Sequence, residues 1–228
     1  GDHQAALENY RKALDLLIAM GDLADQADVL RNMGNVYLRT GSFDKAMESA
    51  KRALQISREM ADRKGECRSL NNMGNVRIHL GAVVEARTYY EAALQILREV
   101  PDEFLEGVVL TNLGMVQMTA GDHEGALPRF NGALDIARRV GDAEGEATVL
   151  GQLGEVCLRT GRPLEAIDHL HRAISLMEGT GSTFRISETK CYLALAVLET
   201  DRSPGAVAKA LDLVGQAGRE TPKDAVDR

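Results

Sequence analysis

The chain has 228 residues, of which 44% are hydrophobic, 27% charged and 4% aromatic, and its formal net charge is −7. That apolar fraction is typical of a globular protein and excludes a wholly disordered chain. The acidic balance and the few aromatic side chains argue against nucleic-acid binding, because domains with that function usually carry a basic surface. The longest apolar run, 191–198, is far shorter than the roughly 20 residues that a membrane-spanning helix needs.

The first predicted element is an amphipathic helix over residues 1–20. Ala6, Tyr10, Leu14 and Leu17 recur at helical spacing and would share one face. No partner helix precedes it in the sequence. Two interpretations are open: a fragment cut from a longer array, which we prefer, or a natural cap. The fragment interpretation predicts that this face is exposed or covered by a second copy, giving a homodimer through the N-terminal helix.

From residue 22 onward the sequence repeats every 40 residues. The copies LRNMGNVYLRTG, LNNMGNVRIHLG, LTNLGMVQMTAG and LGQLGEVCLRTG place glycine at 34, 74, 114 and 154. Turn-forming residues separate the stretches of each copy, and within each stretch the apolar residues recur at helical spacing. The pattern predicts two helices per repeat, A then B, stacked as a solenoid over residues 1–218, in which residues 1–20 form a B helix. Repeats start near residues 22, 62, 102, 142 and 182, and a polar tail occupies 219–228.

Two local features of the A helices carry structural predictions. Glycine inside a helix costs about 1 kcal/mol relative to alanine, so the four repeated glycines predict close approach of a neighbouring helix. An acidic or hydroxyl residue stands at each expected start of an A helix, where it can accept hydrogen bonds from free backbone N–H groups. These residues are Asp22, Asp62, Asp102, Asp142 and Ser182.

The repeated residues closely resemble the tetratricopeptide repeat family. The first full copy matches the family pattern with Leu30, Met33, Gly34, Tyr37, Ala46, Ala50 and Ala53. The repeat exceeds the usual length of about 34 residues, so both helices should be longer than usual. Long repeats of this kind are similar to those of the Pins/LGN cell-polarity scaffold and kinesin light chain. The resemblance implies an all-α, right-handed superhelical solenoid of antiparallel helix pairs. It also implies a non-enzymatic scaffold that binds an extended peptide or a partner protein in a concave groove lined by A helices.

Polar residues of the A helices that fall outside the predicted core are candidates for peptide binding. They are Arg31, Asn32, Asn35, Arg68, Asn71, Asn72, Asn75, Asn112 and Gln152. One column of the repeat, at 32, 72, 112 and 152, is an amide in all four full copies. Because an amide side chain both donates and accepts, such a column can pair with successive peptide groups of a ligand. Alternatively, the amides bond neighbouring helices of the stack to each other, and the sequence leaves both readings open.

The resemblance also bears on the chemistry of the partner. The family's carboxylate clamp for chaperone C-termini is matched by Arg31, Asn35 and Asn72, but Val108 and Asn112 stand where basic residues belong. Without those cations a terminal carboxylate lacks charge-assisted partners, so a chaperone tail is not predicted. Arg31, Arg39 and Arg68 are consistent with an acidic ligand side chain, or with ordinary solvated surface.

No motif predicts catalysis, a metal site or a cofactor. The chain has no phosphate loop, no Cys-x-x-Cys pair and no nucleophile elbow. The three scattered cysteines, Cys67, Cys157 and Cys191, are typical of free thiols in a reducing compartment, which predicts a cytoplasmic protein. The main alternative function is a regulatory or self-association segment of a larger enzyme or transcription regulator.

Overall fold

The computed structural model describes residues 3–182 and 185–220. Within these ranges all regular structure is α-helical and no strand occurs, as predicted. The eleven helices are α1 (His3–Met20), α2 (Leu23–Arg39), α3 (Phe43–Glu59), α4 (Arg63–His79), α5 (Val83–Glu99), α6 (Glu103–Thr119), α7 (His123–Val140), α8 (Ala143–Arg159), α9 (Pro163–Thr180), α10 (Ile186–Thr200) and α11 (Pro204–Glu220). Even-numbered helices are the A helices of the repeat and odd-numbered helices are the B helices. The predicted number and order of helices are confirmed.

The chain divides after Val116, within α6, into two compact units. In unit 1, each helix from α1 to α4 packs on its successor, and the A helices α2 and α4 also touch. In unit 2, each helix from α7 to α10 packs on its successor, and the A helices α8 and α10 also touch. Each unit is therefore a stack in which an A helix contacts both B helices beside it and the next A helix. The predicted polar tail falls mostly on residues 221–228, which lie outside the described ranges, while α11 continues to Glu220.

Four A helices begin at the predicted caps. Asp22, Asp62, Asp102 and Asp142 each accept a hydrogen bond from the backbone N–H three residues on, at 2.9–3.1 Å. The bond from Leu105 N holds the pKa of Asp102 below its usual value. The fifth A helix departs from the pattern, because α10 begins only at Ile186 and its N-cap residue is Arg185 instead of the predicted Ser182. Arg185 makes no side-chain capping hydrogen bond.

Most turns between the described helices contain a residue in left-handed backbone. Seven glycines in these turns have φ between 69° and 82°. Ala61, in the turn between α3 and α4, adopts the same conformation with φ 54°. A side chain there is strained, because the Cβ atom crowds the following carbonyl in left-handed backbone. Ala61 therefore occupies a turn position whose backbone conformation favours glycine.

The mid-helix glycines lie where a B helix crosses an A helix, as predicted. A Cβ atom on Gly74 would lie 2.4 Å from the ring of Tyr90, and one on Gly154 would lie 2.4 Å from Leu170 Cγ. At Gly34 the approach is looser, with Ala46 O at 3.5 Å and Ser49 Cβ at 3.6 Å. Gly114 is also buried. Gly74 and Gly154 thus leave room for a large buried side chain of the B helix, whereas Gly34 makes ordinary close contacts with the B helix.

Candidate peptide-binding surface

Seven of the nine candidate binding residues are at least partly exposed on the A helices, and the other two, Arg31 and Gln152, are buried. On α2, Asn32 and Asn35 are exposed to solvent. On α4, Arg68 is exposed, and Asn71, Asn72 and Asn75 are partly exposed. We call this set of α2 and α4 residues, together with Asn112 of α6, the amide surface of unit 1. Asn32, Asn35 and Asn72 make no hydrogen bond to any other residue in the described part of the chain.

A hydrogen-bonded cluster joins α4 to α6 within the amide surface. The amide nitrogen of Asn112 donates to Asn71 Oδ1 at 2.8 Å and to Asn75 Oδ1 at 3.3 Å. The hydroxyl of Tyr90, on α5, donates to the same Asn75 oxygen at 2.7 Å. The bonds from Asn112 connect one A helix to the next, so Asn112 has the inter-helix role that the sequence left open.

These bonds determine which amide atoms face solvent. Two donors occupy Asn75 Oδ1, so the nitrogen of Asn75 is the atom left without a partner in the described structure. Both bonds of Asn112 use its nitrogen, so its oxygen has no partner among the described residues. The cluster therefore leaves one amide donor and one amide acceptor unpaired, which are the two kinds of group that pair with a peptide group.

A cavity of about 160 Å³ lies directly beside these amides. Its remaining walls come from Leu38, Ile78, His79, Tyr90 and Met115. These residues belong to α2, α4, α5 and α6, so the cavity is assembled from successive helices of unit 1. Burial of Tyr90 raises the pKa of its phenol, which keeps the hydroxyl protonated as the donor to Asn75.

Arg31 has a structural environment that differs from the other candidates. It is only 7% exposed, forms an ion pair with Asp28 and donates to Ser57 Oγ on α3 at 3.2 Å. Its guanidinium is therefore bound within unit 1. The exposed arginines of these A helices are Arg39 and Arg68.

The amide column continues in unit 2 with a different partner. Gln152, on α8, is only 5% exposed, and its carboxamide faces the Arg185 guanidinium. The carboxamide orientation that satisfies both groups places the oxygen 2.5 and 2.9 Å from Arg185 Nη1 and Nη2, as acceptor of both bonds. On α10, Tyr192 occupies the same repeat position, and burial together with the neighbouring Glu155 of α8 raises its pKa to about 12. Arg185 immediately precedes α10, so both residues place the next A helix beside α8. In this unit the column is occupied by contacts between helices.

Three residues of these networks, Tyr90, Arg185 and Tyr192, were not among the candidates that the repeat pattern predicts. Tyr90 lies in the core slot of a B helix, and its buried ring gave no sign that the hydroxyl would reach an amide on α4. Arg185 precedes α10 in left-handed backbone with φ 59°, in the copy where the repeat pattern is weakest. The position of Tyr192 in the amide column was a usable signal, since its hydroxyl can also bond across the stack.

The thiols differ in exposure. All three are free, as expected, and Cys67 and Cys157 are buried whereas Cys191 is exposed on α10. Burial raises the pKa of Cys67 to about 11 and also raises that of Cys157. No group of three or more His, Cys, Asp and Glu side chains in residues 3–182 and 185–220 is placed to hold a metal ion. No helix within the same ranges has the length and apolar character needed to cross a membrane.

The predicted open face of the N-terminal helix is covered within the chain itself. Leu14 is 7% exposed, and Tyr10 packs against the core of unit 1. The contact is with α2, which packs on α1 directly, so no second copy is needed to cover this face. The expectation that Tyr10 and Leu14 form the exposed face is therefore wrong. The exposed apolar residues of α1 are Leu16, Ile18 and Met20.

Comparison with known proteins identifies the family. The family model described as tetratricopeptide repeat matches residues 1–59, 65–139 and 105–179. The chain therefore belongs to the tetratricopeptide repeat family, whose members are generally protein-interaction modules and typically non-catalytic scaffolds. No curated protein sequence matches it significantly.

Solved structures share the fold at low sequence identity. BtubC (BKLC) from P. vanneervenii superposes with a TM-score of 0.78 at 18% identity, covering 100% of this chain and 93% of that one. A Rap protein complexed with competence and sporulation factor gives 0.76 at 17%, covering 96% of this chain and 64% of that one. This chain thus spans less than two thirds of the Rap structure. YrrB, described as a TPR protein with an unusual peptide-binding site, gives 0.52 at 16% and covers 96% of both chains.

Proposed function

We propose that this chain binds an extended peptide, or an extended segment of a partner protein, on the amide surface of unit 1. The observation that carries the proposal is the cluster of Asn71, Asn75 and Asn112. It leaves an amide donor and an amide acceptor free beside a cavity whose apolar walls are Leu38, Ile78 and Met115. An amide donor and an amide acceptor can pair with the backbone of a peptide of any sequence, and a cavity beside them adds a preference for one kind of side chain.

The free amides of α2 and α4 extend this surface. Asn32, Asn35 and Asn72 are available to a ligand because no other described residue occupies them. Arg68 and Arg39 add exposed positive charge on the same two helices, which favours a ligand with acidic side chains. Arg31 takes part indirectly, by holding α2 against α3 through Ser57.

The comparisons support a binding role of this type. The Rap structure is a complex with competence and sporulation factor, and YrrB is described as having a peptide-binding site. Both share only the fold with this chain, so the identity of the ligand here rests on the residues of this chain.

The test is selection of a display library of random linear peptides on the purified chain. Selected peptides are then measured by calorimetry against the double variant Asn32→Ala, Asn72→Ala. Each lost amide leaves a ligand group unpaired at about 1–3 kcal/mol if buried, so we expect affinity to fall by at least about 10-fold. The melting temperature should not fall, because neither amide bonds to the protein and alanine favours helix.

Asn131→Ala is the matched control. Asn131 is an exposed amide on the B helix α7 and makes no hydrogen bond to another described residue. It should bind the selected peptides as the unchanged chain does. If the double variant also binds like the control, the amide surface does not bind the peptide.

A second candidate function is self-association, as expected for a regulatory segment of a larger protein. The observation that favours it is the exposed pair Leu16 and Met20, which lie four residues apart on one side of α1 and are 66% and 76% exposed. Sedimentation velocity over a range of concentrations tests it. Leu16→Glu should weaken a dimer held by this side, and Leu164→Glu, at a residue of α9 that is 71% exposed, should not. A chain that stays monomeric at high concentration contradicts this candidate.

A further inference from the structure

We infer that the cavity beside Asn75 and Asn112 is a specificity pocket that takes one aliphatic or phenyl-sized side chain of the bound peptide. This inference rests on the proposed function and names the class of ligand that it selects. The cavity and the free amide atoms lie side by side, so one ligand residue can fill the first while its backbone meets the second.

The size of the cavity sets the class of side chain. Its volume is about 160 Å³, and an apolar cavity of about 150 Å³ holds one benzene molecule. One leucine, isoleucine, methionine or phenylalanine side chain therefore matches the space. Leu38, Ile78 and Met115 provide apolar contact from three different helices.

The orientation of the amides sets the backbone contact. Tyr90 and Asn112 both donate to Asn75 Oδ1, which directs the Asn75 nitrogen away from the protein's own hydrogen bonds. That nitrogen is placed to donate to a ligand carbonyl, and the Asn112 oxygen is placed to accept from a ligand N–H. The pair thus recognises the backbone of the residue whose side chain enters the pocket.

The equivalent positions in the preceding copy do not form the same pocket. Asn35 and Asn72 correspond to Asn75 and Asn112 after a shift of 40 residues, and no hydrogen bond joins them in the described structure. The B-helix slot of Tyr90 is filled by Ala50 in that copy, so no hydroxyl orients Asn35. The donor that orients the amide is therefore specific to the second copy.

The first experiment fills the pocket. Peptides from a random linear display library, selected on the full chain, are measured against Ile78→Trp and the control Leu80→Trp. Leu80 lies two residues away but borders a different cavity, with Phe43 and Met47. Burial of one such side chain corresponds to about 10- to 100-fold in affinity, so we expect a loss of that size for Ile78→Trp and none for Leu80→Trp.

The same peptides locate the side chain that enters. Each selected peptide is changed to alanine one residue at a time, and one apolar residue should account for a loss of about 10- to 100-fold. With alanine at that residue, Ile78→Trp should cause little additional loss, because both changes remove the same contact. Independent, additive losses would overturn the pocket assignment.

Asn75→Asp tests the backbone contact without filling the pocket. Aspartate keeps the oxygen that Tyr90 and Asn112 bond to and removes the free donor. We expect weaker peptide binding by about 10-fold with no fall in melting temperature. The loss should persist at about 0.5 M salt, which screens repulsion by the added exposed charge.

The outcomes separate this inference from the proposed function. Peptides that lose affinity with Asn32→Ala, Asn72→Ala but bind Ile78→Trp and Asn75→Asp normally overturn the pocket alone. If no peptide is enriched on the unchanged chain, both the pocket and the proposed function are overturned.

Discussion

The mid-helix glycines at 34 and 74 occupy one repeat position, yet alanine should affect stability in opposite directions at the two sites. At Gly74, the new Cβ would lie 2.4, 2.7 and 2.8 Å from three ring atoms of Tyr90. Carbon atoms pack favourably at about 3.5–4.0 Å, so the ring must move by about 1 Å. Tyr90 is 1% exposed and its hydroxyl bonds to Asn75, so a shift of the ring disturbs both its buried packing and that hydrogen bond.

The magnitudes follow from these contacts. Overpacking at Gly74→Ala costs about 1–3 kcal/mol, a disturbed hydrogen bond adds about 1 kcal/mol, and helix propensity returns about 1 kcal/mol. The net expectation is a destabilisation of about 1–3 kcal/mol. At Gly34 the new Cβ meets Ala46 O at 3.5 Å and Ser49 Cβ at 3.6 Å, which are ordinary contacts. Gly34→Ala should therefore stabilise the protein by about 1 kcal/mol through helix propensity.

Thermal unfolding followed by circular dichroism measures both effects. For a chain of this size, 1 kcal/mol shifts the midpoint by about 2–4 °C. We expect a lower midpoint for Gly74→Ala and a higher one for Gly34→Ala. Shifts of the same sign at both sites would refute the steric argument.

A double-mutant cycle isolates the contact between Gly74 and Tyr90. Tyr90→Ala reproduces the small residue that the first copy has at Ala50, and it should cost about 3–5 kcal/mol by itself. In that background the clash is absent, so Gly74→Ala should no longer destabilise and should recover part of the helix propensity. Unchanged destabilisation by Gly74→Ala would show that its cost does not arise from the ring.

Three further predictions concern other residues. Asn112→Ala should lower the midpoint of thermal unfolding, because it removes the hydrogen bonds between α4 and α6. Asn72→Ala should leave the midpoint unchanged, and equal midpoints for the two variants would contradict the role of Asn112 in joining these helices. Ala61→Gly should stabilise the chain by up to about 1 kcal/mol in urea unfolding, because φ is 54° there and glycine relieves the strain; a lower midpoint would contradict this. Burial raises the pKa of Cys67 to about 11 in the folded chain, against about 8.5 for an unfolded thiol. The contribution of the neutral Cys67 thiol to the free energy of unfolding is therefore complete below about pH 8.5 and is lost as the pH rises towards 11. Cys67→Ala should therefore lose less stability than the unchanged chain between those pH values. A thiol reagent at neutral pH should modify the exposed Cys191 first, and rapid labelling of Cys67 in the folded chain would contradict its burial.

The sequence by itself determined the helices and their order. Helical apolar spacing, aspartate caps and turn glycines are local signals, and repetition every 40 residues made each copy support the others. The caps at Asp22, Asp62, Asp102 and Asp142 follow directly, because a cap needs only its own helix. The glycines at 74 and 154 also identified the crossing points of A and B helices, since a buried glycine in a helix implies a close neighbour.

The tertiary structure decided the uses of the polar residues. Spacing along a helix places Arg31 and Asn32 at adjacent positions, but the approach of α3 brings Ser57 to Arg31 while Asn32 stays in solvent. The bonds of Asn112 likewise depend on how closely α6 approaches α4 and on the Tyr90 hydroxyl beneath Asn75. Such distances between helices come from the packing of many side chains at once, and for that reason a repeat pattern can propose a binding surface but cannot assign its hydrogen bonds.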